Sequence, residues 1–181
     1  IVHDHTKAFI DFEHGRSDID TLLGDNASEL RRVRECIDDV LAREEYALDS
    51  LVIVASCSPE GSFALNSKLS AARSESVRRY IGQYVPEQWK DSLKASALPE
   101  NWNQLLLLVE NDTVLNRDIR RNITARVMEM EGGPDMVEAW MAGLPEYKYL
   151  REKIYPKLRN VRFDFHLHRV GMVQDTVMTT E

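Results

Sequence analysis

Several familiar signatures are missing from these 181 residues, and each absence narrows the reading. No apolar run approaches the ~20 residues that a membrane-spanning helix needs. The longest stretch, at 105–109, has the length of a core segment. Positive charge is not in excess. The 30 acidic against 23 basic side chains leave a formal net charge of −7. That field argues against nucleic acid or an anionic membrane as partner, because both are gripped by clustered Lys and Arg. Local basic stretches such as 31–34 read as the wet side of a helix. Cysteine is scarce: Cys36 and Cys57 lack metal-ligand spacing. Two buried free thiols are expected, although an oxidising compartment would permit a disulfide. No Gly-rich phosphate loop and no G-x-S-x-G elbow occur, and no His motif follows the Ser56–Cys57–Ser58 cluster to orient a base. Neither catalysis nor a cofactor is therefore expected. No signal peptide is visible, and the chain opens with Ile, as expected of a mature product or a segment of a longer protein.

What is present is ordinary globular chemistry, 43% hydrophobic and 29% charged. Residues 1–7 read as a polar, frayed start, and AFIDF (8–12) as the first strand. Residues 26–44 form an amphipathic helix, with Asn26 and Glu29 at capping-box spacing. LDSLVIVAS (48–56) is apolar through its middle, the pattern of a central strand. SPEG (58–61) matches a type I turn. A second helix spans 62–84, ended by Pro86, and 92–98 is a short third strand. From Pro99 to Leu158 the pattern becomes helical, punctuated at 131–134 and 142–145. VRFDFHLHRV (161–170) alternates strictly, as a strand with one wet face does. The expected fold is α/β (α+β): one domain over 1–181, a mixed βαβαβ(α)β sheet with helices on one face and a helical insertion at 99–158 before the last strand.

Some side chains invite a functional reading. His166 and His168 share a strand face, His3 and His5 could do likewise, and His14 is the other histidine. Zinc needs three or four ligands, so no metal is expected and solvated histidines are the default. The lobe aromatics Trp102, Trp140, Tyr147, Tyr149 and Tyr155, with Trp89 just before it, either pack the lobe or dock a partner. The unusual residue is Arg73. At about 100° per residue with Leu69 at zero, Leu65, Ser76, Tyr80 and Arg73 fall between about −40° and +40°. Arg73 is then the one arginine of its helix inside the packing stripe. A guanidinium withdrawn from water needs an anionic or carbonyl partner, and its fork suits a carboxylate. The turn at 58–61 delivers the chain to a helix start whose free N–H groups also favour an anion. Together these make a carboxylate-sized receptor, unless Glu60 or Asp11 fills it from within.

The segment Gly61, Asn66, Leu69, Ser70, Arg73 and Val77 resembles the OmpA-like, peptidoglycan-associating C-terminal domain of Gram-negative envelope proteins, with Ser74 where Ala is usual. The spacing is intact over 61–77. FIDFEHGRSDID is similar to that family's first strand and loop, and LRNVRFDFHL to its last strand; 99–158 has no counterpart. The resemblance implies a non-catalytic domain in the cell envelope, associated with the outer membrane on its periplasmic side. Its expected partners are the peptidoglycan stem peptide and other envelope proteins or neighbouring domains. It implies that Arg73 binds the carboxylate of diaminopimelate. Ser58 stands where an aspartate would hold the ammonium group, with Glu60, Gly61, Ser62 and Asn66 completing the ligand loop. The alternative, which Ser58 favours, is a scaffold that has lost the wall ligand and serves as a protein–protein module in an outer-membrane or surface-fibre assembly.

Overall fold

The computed structural model describes residues 2–171. The elements are β1 (Val2–Ala8), α1 (Asn26–Leu41), β2 (Tyr46–Ser56), α2 (Phe63–Gly82) and β3 (Leu93–Leu98), with a 3₁₀ turn (Glu87–Ser92) before β3. Then come α3 (Trp102–Glu110), α4 (Arg117–Glu129), α5 (Pro134–Ala142) and α6 (Tyr147–Tyr149). The chain runs from α6 through a π turn (Leu150–Ile154) and a 3₁₀ turn (Tyr155–Leu158) into β4 (Val161–Arg169). The sheet order is β1-β4-β2-β3, with β2–β3 parallel and both pairings of β4 antiparallel. This is the mixed α/β sheet with a helical insertion that the element pattern implied. No described helix is long and apolar enough to cross a membrane.

Period-2 alternation places Val161, Phe163, Phe165 and Leu167 in the core, against Leu51 and Ile53 of β2. Leu30, Val33, Ile37 and Val40 of α1, and Val77 and Ile81 of α2, cover that same face. The insertion has its own core, built on Leu105, Val109, Ile123, Val127, Met141 and Tyr155. Tyr155 is fully buried there, and Trp102, Trp140, Tyr147 and Tyr149 pack partly buried around it, while Trp89 packs against the main core. The lobe aromatics therefore serve packing.

Several expectations are corrected. The first strand is 2–8, not 8–12. The donors of Phe9 and Asp11 go to side chains of α1, Glu29 Oε1 at 3.0 Å and Asn26 Oδ1 at 2.8 Å, so this stretch crosses the helix instead of joining the sheet. Asn26 is not a cap: Asp25 is, and the buried Asn26 amide also donates to the Asp11 and Asp20 carbonyls. Arg34 is not on the wet side, since its guanidinium lies 3.5 Å over the Tyr84 ring. Both cysteines are free, Cys57 buried but Cys36 only half-buried. The SPEG segment has no Ser58–Gly61 backbone hydrogen bond. Instead the Asn66 side chain donates to the Ser58 carbonyl (3.1 Å) and the Glu60 carbonyl (2.9 Å), doing the work of a turn bond from outside the loop.

Candidate functional site

The site lies where β2 ends and α2 begins. The strand end is gripped at both junctions of the insertion. Ser56 N donates to Asn160 O (2.9 Å), its hydroxyl donates to Leu158 O (2.7 Å), and Asn101 N donates to Cys57 O (3.3 Å). Loop 57–62 is thus fixed by one segment about forty and another about a hundred residues downstream, a constraint no local motif carries. Gly61 has φ +78°, a left-handed conformation that favours glycine. Ser62 caps α2 by accepting from Leu65 N at 3.1 Å.

α2 lies on the sheet through a face rotated from the one its hydropathy suggests. Its buried residues are Asn66, Ser70, Ser74, Val77 and Ile81, centred near about +100° on the scale used above. Leu65 is 50% exposed. The serines bury cheaply because their hydroxyls donate to their own helix, Ser70 to Ser67 O (3.2 Å) and Ser74 to Ala71 O (3.0 Å). A self-satisfied serine packs as a small apolar residue and lets α2 approach the strands closely. Arg73 is therefore at the margin of the buried face, half-buried, and not in its middle.

That margin orients it. Arg73 Nε donates to the Arg16 carbonyl at 2.9 Å, and the guanidinium carbon lies 4.7 Å from the Phe12 ring centroid. Its head reaches the Cys57 thiol, and burial followed by repulsion from Arg159 makes it easier to deprotonate than a free arginine. Among the described residues it forms no ion pair with a carboxylate. Glu60 is taken by Arg159, and by Arg151 at 3.3 Å. The Asp11 carboxylate lies against the Gly24 turn, where an added Cβ would stand 2.2 Å from its Oδ2. Neither of the internal partners considered from the sequence is used.

The other site residues divide clearly. Asn66 is buried, and besides the loop carbonyls its amide meets Glu100 Oε2 at 2.8 Å. Glu100 also accepts from Trp102 Nε1 (3.1 Å), and its burial raises its pKa. Ser58 is 5% exposed, and its hydroxyl accepts from Arg159 Nε at 2.9 Å. Phe63 N, at the start of α2, donates to Asp135 Oδ1 of α5 at 2.8 Å. One helix-start donor expected to face a ligand is therefore occupied by the lobe itself. Arg159, Glu100, Asp135 and Arg151 were invisible to sequence reasoning. They lie in or beside the insertion, and no period or motif ties them to Arg73. Cys57 is held as a thiol, since burial raises its pKa, so the cluster offers no ready nucleophile. Among the described residues no three His, Cys, Asp or Glu side chains converge as a metal site. His168 Nδ1 instead meets Asp49 Oδ1 at 2.7 Å, and the side chain of His3 lies outside what the structure describes.

Neither a protein-family model nor a curated protein sequence matches the chain. Among solved structures, it is similar to the OmpA-like domain of FopA1 from Francisella tularensis subsp. tularensis SCHU S4. The TM-score is 0.45 at 11% identity, over 92% of this chain and 73% of that one.

Proposed function

We propose that this is a non-catalytic cell-envelope domain that takes a carboxylate of the peptidoglycan stem peptide on Arg73. The observation that carries the reading is a half-buried guanidinium, oriented by the Arg16 carbonyl and the Phe12 ring, without a carboxylate partner among the described residues. Such a group attracts an external anion, and its fork can donate two parallel hydrogen bonds to it. The sequence pattern at 61–77 supplies the class of ligand. Calorimetric titration with a soluble stem-peptide fragment ending in diaminopimelate tests it. Arg73→Ala should weaken binding by about tenfold or more, since a charge-assisted hydrogen bond is worth roughly 1.5–3 kcal/mol. Equal affinity of the two proteins would refute the reading.

A specific observation favours a second reading. Ser58 and the start of α2 are engaged by Arg159 and Asp135, as in a scaffold whose ligand cleft has been taken over by its own lobe and which docks other envelope proteins. Ser58→Asp alone would meet Arg159, so the discriminating variant is Ser58→Asp with Arg159→Ala. Wall binding gained by that variant and absent from the natural protein would establish the second reading.

A further inference from the structure

A connected set of polar contacts joins the interior of the lobe to the loop at the end of β2, and it starts at a buried acid. Glu138 of α5 accepts from the Tyr155 hydroxyl and, at 3.3 Å, from the Tyr147 hydroxyl. The Arg151 guanidinium carbon lies 5.8 Å from the Tyr147 ring centroid. Arg151 pairs with Glu60 at 3.3 Å, Glu60 pairs also with Arg159, and Arg159 Nε donates to Ser58 Oγ at 2.9 Å. One turn before Glu138 on the same helix, Asp135 accepts from Phe63 N at 2.8 Å. The lobe thus holds this segment at Ser58, Glu60 and Phe63.

The acids that secure the loop also act on Glu138. The groups facing it are Tyr155, Tyr147, Glu60 of the loop and Glu100 just before α3, and both carboxylates oppose its ionisation. Glu100 in turn accepts from the Asn66 amide (2.8 Å), which also ties the Ser58 and Glu60 carbonyls. A negative charge formed at Glu138 therefore disfavours the docked positions of Glu60 and Glu100. It also competes with Glu60 for Arg151, which already lies by the Tyr147 ring. The Glu60 ion pairs are partly exposed, and such pairs are individually weak, so one added charge nearby shifts their balance.

We infer that loop 57–62 is latched by the proton on Glu138: with the carboxyl neutral the lobe holds the loop through Glu60, and once it ionises the hold loosens. The inference concerns the protein without any ligand and stands apart from the carboxylate reading above. Burial raises the Glu138 pKa to about 7, so the latch releases as pH rises through neutrality. The coupling is reciprocal, because whatever Glu138 does to the loop the loop does to Glu138.

NMR on the intact protein tests it. The Glu138 side-chain carboxyl carbon and the amides of loop 57–62 are followed from about pH 5 to about pH 8.5. Loop amides and carboxyl should share one midpoint. Above it, hydrogen exchange of these amides, corrected for its intrinsic pH dependence, should quicken about threefold or more. Both changes should vanish in Glu138→Gln, while changes driven by other groups persist. Glu60→Gln should lower the Glu138 midpoint by about half a pH unit or more, the effect of one unit charge roughly 10 Å away under partial screening. Loop amides that stay still over this range, or that move equally in Glu138→Gln, would overturn the inference. So would a Glu138 midpoint that Glu60→Gln leaves unmoved.

Discussion

Glu138 sits on α5 inside the lobe, only 7% exposed. Its carboxylate accepts from the Tyr155 hydroxyl and, at 3.3 Å, from the Tyr147 hydroxyl. No cation pairs with it among the described residues. Burial is the main reason its pKa rises from 4.5 to about 7, against the opposing effect of the two tyrosine bonds. The folded protein thus holds this proton more tightly than the unfolded chain does. The stabilisation is fully present below about pH 4.5 and is lost as pH rises to about 7, because the unfolded carboxyl ionises first. The full shift corresponds to at most about 3 kcal/mol, and about 2 kcal/mol is expected after allowance for solvent screening. Glu138→Gln keeps the shape and can accept from Tyr155 while donating to Tyr147, but it never ionises. Urea unfolding of both proteins at intervals from pH 4.5 to 8 isolates the effect, since other titrating groups cancel in the difference. The variant should gain about 2 kcal/mol relative to the natural protein across that range, with the gain concentrated between pH 5 and 7. A difference that is flat with pH would refute the claim that a buried, proton-holding carboxyl sits in the lobe.

Two further outcomes concern the site. Asn66→Ala removes the donor shared by two loop carbonyls and Glu100, and should cost about 2–4 kcal/mol in urea unfolding while also weakening ligand binding. Arg73→Ala, which breaks one hydrogen bond and one ring contact at the margin of the sheet, should cost only about 1 kcal/mol of stability. Its binding defect would then not be a folding defect.

Much of the fold was legible because it rests on local periodicity. The alternation of β4 and the apolar centre of β2 name their own buried faces, and α1 shows its stripe plainly. The first strand was not legible. β1 is an edge strand of polar residues with a single neighbour, whereas 8–12 looks more strand-like yet spends its backbone donors on Glu29 and Asn26. In α2 the failure was one of kind. Hydropathy treats Ser70 and Ser74 as wet residues, but hydroxyls that bond to their own helix can be buried, and the helix turns its small face inward. That rotation moved Arg73 from the centre of the packing to its rim, where a guanidinium is oriented but still reachable. The Arg159 contact with Ser58 and the Asp135 contact with the start of α2 join residues far apart in the chain. Only the docking of the lobe brings them together.

The most direct measurement is co-sedimentation with purified, insoluble cell-wall sacculi, comparing the natural protein with Arg73→Ala at matched thermal stability. The account predicts that the natural protein pellets with the wall, that free pimelate competes it off, and that the variant stays in the supernatant. Equal pelleting of the two proteins, or none by either, would contradict it.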